Sequence, residues 1–160
     1  MSTIRNIKHC FNTSEIYHVF SECMYMPTWD KFTSRAEEYM NNDAIHIFGY
    51  YEDSRVAGII AVNQNQDGSF EIKGIAVNPE CRNRGIGRKL VQYVCDELPV
   101  SILHAETDDD AIGFYRSCGF ETHAFTRVFE SGEYRRYKCL LRAEGASGSK
   151  ECKHEKGCIV

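Results

Sequence analysis

The sequence predicts one mixed α+β domain, a sheet of seven strands with helices on its faces. Three observations predict it. Two segments with helical apolar spacing, over 14–42, are followed by three strand-like runs over 44–77. Beyond Pro79 come a helix, a strand, a short helix and a closing pair of strands, giving the order β-α-α-β-β-β-α-β-α-β-β. The length of 160 residues suits one compact core and is too short for two large ones.

Residues 3–9 read as a first strand. Asn12 then offers a helix cap, with Glu15 three positions later as in a capping box. Ile16, Val19, Phe20, Cys23 and Met24 recur at helical spacing, and Pro27 stops that helix. A second helix over 30–42 carries Phe32, Ala36, Tyr39 and Met40 on one face and Glu37 and Glu38 on another. Residues 44–52 and 55–62 form a hairpin about Asp53-Ser54. A polar turn over 63–68 leads to a third strand, 69–77, which Pro79 ends. Ile86, Leu90, Val91, Val94 and Leu98 mark the next helix. A strand at 100–106, a short helix at 109–118 and two strands within 119–141 about Ser131-Gly132-Glu133 complete the domain, 1–142. Residues 143–160, rich in small and charged residues, read as a flexible tail.

Composition removes several classes. A net charge of −4 argues against a general nucleic-acid binder. No apolar run reaches the ~18 residues of a membrane span, and the first residues lack a signal-peptide core, so a cytoplasmic protein is expected. The eight cysteines contain no C-x-x-C pair, which disfavours zinc ribbons and redox motifs and leaves free thiols. Cys152, His154 and Cys158 supply three ligands where a structural zinc site wants four, so no metal is expected.

The informative stretch is 70–91, FEIKGIAVNPECRNRGIGRKLV. A strand runs into a loop with Gly85 and Gly87 and then directly into an amphipathic helix. Glycines admit a ligand close to the backbone, and a helix N-terminus adds unpaired N–H donors and partial positive charge. Together they read as a pyrophosphate cradle. Arg82, Arg84, Arg88 and Lys89 place four positive charges there with no acid between them. The third glycine of a dinucleotide fingerprint is replaced by Leu90, and no Gly-Lys-Ser/Thr follows, so neither that fingerprint nor a Walker A loop fits.

Val77 to Gly87, VNPECRNRGIG, resembles the acetyl-CoA signature of the GNAT N-acetyltransferase superfamily, Arg/Gln-x-x-Gly-x-Gly/Ala after a strand ending in Val-x-Pro. Glu106 to Glu121, ETDDDAIGFYRSCGFE, is similar to that family's second motif, Asn-x-x-Ala-x-x-Phe-Tyr-x-x-x-Gly-Phe. The resemblance covers residues 1–141. It implies a small single-domain, bacterial-type acyltransferase with a mostly antiparallel, twisted sheet of about seven strands. It also implies acetyl-CoA as cosubstrate, direct transfer to a primary amine, and a monomer or homodimer.

By that resemblance the backbone of Arg84, Gly85, Ile86, Gly87 and Arg88 holds the pyrophosphate, and Arg82 begins the loop. The strand residues Ile75, Ala76 and Val77 pair with the pantetheine arm, and one of their N–H groups holds the thioester carbonyl. Asp108 stands where the family has Asn, followed by Ala111, and is expected either to touch pantetheine or to cap the helix. Tyr115 matches the tyrosine that protonates the leaving thiolate. Candidate bases are Glu71, placed by strand alternation on the face of Val77, and Glu106 on the next strand, beside His104.

The acceptor side stays open between readings. Six acids against two bases over 14–43, with Tyr25, Trp29 and Phe32, suit a cationic amine, whereas Arg127, Arg135 and Arg136 suit an acceptor carboxylate. A small amine, an amino acid and a protein amine all remain. The alternative function is a non-catalytic acyl-CoA sensor or interaction module.

Overall fold

The computed structural model describes residues 1–143. Seven strands form one sheet in the order β1-β2-β3-β4-β5-β7-β6. They are β1 (Ser2–Asn6), β2 (Ile45–Glu52), β3 (Arg55–Gln64), β4 (Phe70–Val77), β5 (Ile102–Thr107), β6 (Glu121–Phe129) and β7 (Gly132–Arg142). The helices are α1 (Ser14–Phe20), α2 (Trp29–Met40), α3 (Ile86–Glu97) and α4 (Ile112–Ser117). All neighbouring pairs are antiparallel except β4 and β5. The mixed, mostly antiparallel architecture expected from the sequence is therefore observed.

The helices cover two faces of the sheet. On one, Leu90, Val91 and Val94 of α3 and Tyr115 of α4 pack on Phe70, Ile72, Leu103 and Leu141. On the other, Ile16, Phe20, Phe32 and Tyr39 pack on Ile47, Ile59, Ala61 and Ala76. Phe11 centres the second core, its ring 5.2 Å from Phe20 and 5.4 Å from Phe32. Burying each such ring contributes about 1.5–3 kcal/mol.

Local chemistry moves several boundaries. The first strand stops at Asn6, because its side-chain oxygen accepts the Lys8 N–H at 3.0 Å and turns the chain into a 3-10 turn, Lys8–Cys10. The cap of α1 is Thr13 and not Asn12: Thr13 Oγ1 accepts the Ile16 N–H at 3.3 Å. Glu15 closes no capping box and instead accepts the Val56 N–H on β3 at 3.3 Å. The strand expected over 55–62 continues to Gln64, whose N–H donates to Ala44 at 2.8 Å. The tail from residue 144 onward, with Cys152, His154 and Cys158, lies outside the described residues. No helix among the described residues is long and apolar enough to cross a membrane.

One irregularity positions everything that follows. Ala61 pairs with Gly74 and Val62 with Ile72, so Lys73 is an extra residue, a bulge in β4. Phe70 and Ile72 before it, and Ile75 and Val77 after it, all belong to the α3–α4 face. Gly74 meets Phe20 and Cys23, and Ala76 belongs to the same α1–α2 face. Simple alternation therefore fails across Lys73, and Glu71 lies on the face opposite Val77, contrary to the sequence expectation.

Candidate functional site: a split sheet edge beside a helix N-terminus

The parallel register of β4 and β5 has two pairs, Phe70 with Leu103 and Glu71 with His104. β4 nevertheless continues to Val77 and β5 to Thr107, the latter paired with β7. The sheet thus splits between its central strands and leaves the β5-side edge of Ile75, Ala76 and Val77 open to an extended ligand.

At the mouth of the split stands the N-terminus of α3. Gly85 is its N-cap, at φ 80°, a left-handed conformation that favours glycine. No side chain caps this end, and no acid occupies its first turn. A Cβ on Gly85 would have nothing within 4 Å, so the backbone there is open. Gly87 behaves differently from its sequence reading: a Cβ on it would lie 2.7 Å from the Phe114 ring. Its bare side packs helix on helix against Phe114, whereas the bare side of Gly85 is open.

The loop arginines are not free charges. Arg82 pairs with Glu22 at 2.9 Å, and its Nε–H donates to the Val77 carbonyl at 3.4 Å. Arg84 pairs with Glu52, and Arg88 donates to the Ser117 carbonyl at 3.1 Å. Acids distant in sequence therefore brace this loop, which leaves the α3 amides as its anion-facing groups.

The second motif flanks the split. Asp108 Oδ1 accepts the N–H groups of Asp110 and Ala111, both at 3.1 Å, and shapes the turn into α4. This is why α4 begins at Ile112, three residues later than expected. Tyr115 is 6% exposed, its ring between Phe114 and Phe120 at 5.1 and 5.2 Å. The Tyr115 hydroxyl makes no hydrogen bond to a described side chain, and Cys139, Cys23 and Cys118 lie close enough to bear on its ionisation. Burial, followed by the neighbouring Cys139, Cys23, Cys118 and Asp108, pushes its phenol well above the ordinary range. It stays protonated at any physiological pH.

On the α1–α2 face the split is floored by Gly74 and Cys23. The Cys23 thiol donates to the Phe20 carbonyl at 3.2 Å, and burial pushes its pKa up to about 12, which makes it inert. Glu71 is half-exposed, with Lys73 Nζ at 3.8 Å. Glu106 is clamped: Oε2 accepts from Arg127 at 2.7 Å, and Oε1 accepts from the Nε–H groups of Arg127 and Arg136, each at 3.2 Å. Burial raises its pKa, but the two guanidinium groups outweigh that and hold the carboxyl below the usual range.

The acidic, aromatic wall expected over 14–43 assembles only in part, with Tyr25, Asp30 and Glu38 lining one groove and Trp29 exposed. Glu15 and Glu22 are committed as described, and Phe32 is core. The groove along α2 sets Asp30 and Glu38 against Lys31 and Arg35. Of the three arginines in 120–141, Arg127 and Arg136 meet at Glu106, while Arg135 bonds Tyr137 on the other face. The bulge and the Arg–Glu–Arg cluster escaped sequence reading. Lys73-Gly74 inside an otherwise β-rich strand was the available signal for the first.

Comparison with known proteins agrees with this architecture. The acetyltransferase (GNAT) family model matches residues 13–120. The chain is 35% identical over 76 residues to the N-alpha-acetyltransferase RimI of Mycobacterium tuberculosis, covering 46% of this chain and 48% of that protein. It is 38% identical over 68 residues to an uncharacterized protein of Mycobacterium leprae, covering 41% and 19% respectively. It thus spans about half of the first relative and about a fifth of the second. The structure resembles the ribosomal-protein-S18-alanine N-acetyltransferase of Escherichia coli with TM-score 0.69 at 22% identity, covering 89% of this chain and 94% of that one. For mutant forms of the spermidine/spermine N-acetyltransferase SpeG from Vibrio cholerae the TM-score is 0.68 at 14% identity, covering 91% and 97%. These likenesses concern the fold. With the family match added to the split sheet and the two motifs that border it, the chain belongs to the GNAT acetyltransferase family.

Proposed function

We propose that the chain is an acetyl-CoA-dependent N-acetyltransferase that moves an acetyl group directly onto a primary amine. The observation that carries this reading is the open edge of β4 running from the uncapped N-terminus of α3 to the closed vertex at Glu71 and His104. An anion on the α3 amides and an extended arm along Val77, Ala76 and Ile75 match a coenzyme with a pyrophosphate and an amide-bearing tail. When bound, the coenzyme supplies an acetyl group activated as a thioester.

The residues divide the remaining work. The N–H groups of Arg84 to Arg88 hold the pyrophosphate, with Arg82 bracing their loop. An N–H of Ile75, Ala76 or Val77 holds the carbonyl oxygen and the charge that develops on it. Tyr115, protonated in the resting chain, gives its proton to the departing thiolate. Glu71, directly or through water, takes the proton of the incoming ammonium. Glu106 is a weak proton acceptor because both of its oxygens are occupied by guanidinium groups, so its role is to hold Arg127 and Arg136. Asp108 and Ala111 shape the turn beside the arm. A cytoplasmic monomer or homodimer without a metal is part of the same reading.

Thiol release from acetyl-CoA across a panel of amines, with direct measurement of coenzyme binding, tests it. Amine-dependent release supports the enzyme. Binding without release on any amine supports the alternative, a non-catalytic acyl-CoA sensor or interaction module. No binding overturns both.

A further inference from the structure

We propose that the acceptor amine carries a carboxylate, and that Arg136 binds it on the sheet face next to the split. This rests on the acetyl-transfer reading and names the class of its second substrate. Glu106 follows His104 by two residues on β5, so both project to the face that Glu71 shares. Lys138 is the register partner of Glu106, and Arg136 lies two residues from it on the same face of β7. Phe125 pairs with Arg136, which puts Arg127, two residues on, on this face too. Three positive side chains, Arg127, Arg136 and Lys138, thus surround one carboxylate, Glu106, for a net of +2 beside the vertex of the split.

The arginines are not used alike. Arg127 spends both Nε and a terminal nitrogen on Glu106 and rests 5.2 Å from the Phe125 ring. Arg136 gives Glu106 only its Nε–H, although its side chain is just 28% exposed. A guanidinium has five N–H donors in a planar fork, so four of those of Arg136 remain unbonded to any described residue. Its Nε edge is tied down and its terminal edge is free, the arrangement that accepts a carboxylate with two parallel hydrogen bonds. Glu106 fixes the guanidinium in place and so lowers the ordering cost of binding. A second guanidinium points the same way. Arg35 of α2 forms no ion pair among the described residues, although Asp30 and Glu38 line the same groove, and its charge bears on Cys23 at the floor of the split. A polycationic acceptor would meet net positive charge from this side and be repelled.

The test compares α-, β- and γ-amino acids with their decarboxylated amines, the peptide Ala-Asp-Ala-amide with Ala-Asn-Ala-amide, and spermidine, all as acceptors for the full chain with acetyl-CoA. The expected result is kcat/KM at least about tenfold higher for the carboxylate member of one series, free amino acid or peptide, which identifies the source. Arg136→Gln should bring that ratio close to one, and Arg136→Lys should restore part of it, with the coenzyme Kd reporting that each variant is folded. Spermidine or the decarboxylated amines as the better acceptors would overturn the proposal, as would an undiminished ratio in Arg136→Gln. Absence of turnover with every amine would overturn the acetyl-transfer reading itself, whereas turnover without preference would overturn this inference alone.

Discussion

Replacing Glu106 by Gln removes the centre of the best-defined ion cluster in the site. The carboxylate accepts three charge-assisted hydrogen bonds, two from Arg127 at 3.2 and 2.7 Å and one from Arg136 at 3.2 Å. Buried, each would contribute about 1.5–3 kcal/mol, and fully exposed ion pairs contribute about 0–1 kcal/mol. The Glu106 side chain is 31% exposed and the arginines 42% and 28%, so water and salt screen the cluster in part. A neutral amide oxygen still accepts one bond while the two guanidinium groups repel each other, and the expected loss is about 1–2 kcal/mol. The pH dependence has a definite sign. Because the folded pKa of Glu106 is depressed, its stabilisation is fully present above the unfolded carboxyl value of about 4.3 and disappears as pH falls through the lower folded value. Urea unfolding of both proteins at neutral pH and at a series of acid pH values measures the difference. A gap that closes on acidification is expected. A gap that persists unchanged below pH ~3, or no gap at neutral pH, would refute the assignment of Glu106 as an ionised clamp.

Tyr115→Phe should lower kcat by about a hundredfold or more with the coenzyme Kd little changed, as read by thiol release and calorimetry; an unaltered kcat would remove Tyr115 as the acid. Gly87→Ala should cost about 1–3 kcal/mol, because the new Cβ would sit 2.7 Å from the Phe114 ring, and Phe114→Leu in the same chain should recover part of the loss in thermal unfolding. Thr13→Ala should cost about 1 kcal/mol while Asn12→Ala costs only a few tenths, since the α1 cap bond is made by Thr13.

Periodicity and punctuation carried most of the fold. The α3 run was legible because it keeps one period, and the signature loop because two glycines and a helix start fall together. What escaped has a common physical basis. Pairings distant in sequence leave no local mark: Arg82 with Glu22, Arg84 with Glu52, and Arg127 and Arg136 with Glu106 each require the fold to bring the partners together. The Asn12 cap was missed by one residue because Asn12 and Thr13 are both good caps, and the choice depends on where Phe11 enters its core. The packing of Gly87 on Phe114 was not legible because a glycine that admits a ligand and one that admits a neighbouring ring look the same in sequence.

Lys73 shows how much one residue can decide. Without the bulge, alternation along β4 would put Glu71 on the face of Val77, the α3–α4 face from which Tyr115 approaches. With it, Glu71 projects to the α1–α2 face, where Cys23 and Gly74 form the floor and Arg127 and Arg136 lie alongside. In the proposed reaction an amine must lose a proton on one side of a carbonyl while a thiolate gains one on the other. A proton acceptor and a proton donor on the same face would compete for the same space and could exchange the proton directly. Placed on opposite faces and joined only through the gap between β4 and β5, they leave a single line of approach through the thioester carbon. Deleting Lys73 would remove the bulge yet leave Glu71 five positions before Val77, still on the opposite face, so the expected result is a chain that binds coenzyme at the α3 amides and retains acetyl transfer. Loss of turnover in that deletion variant with coenzyme binding intact would show that the bulge does more than set the face of Glu71.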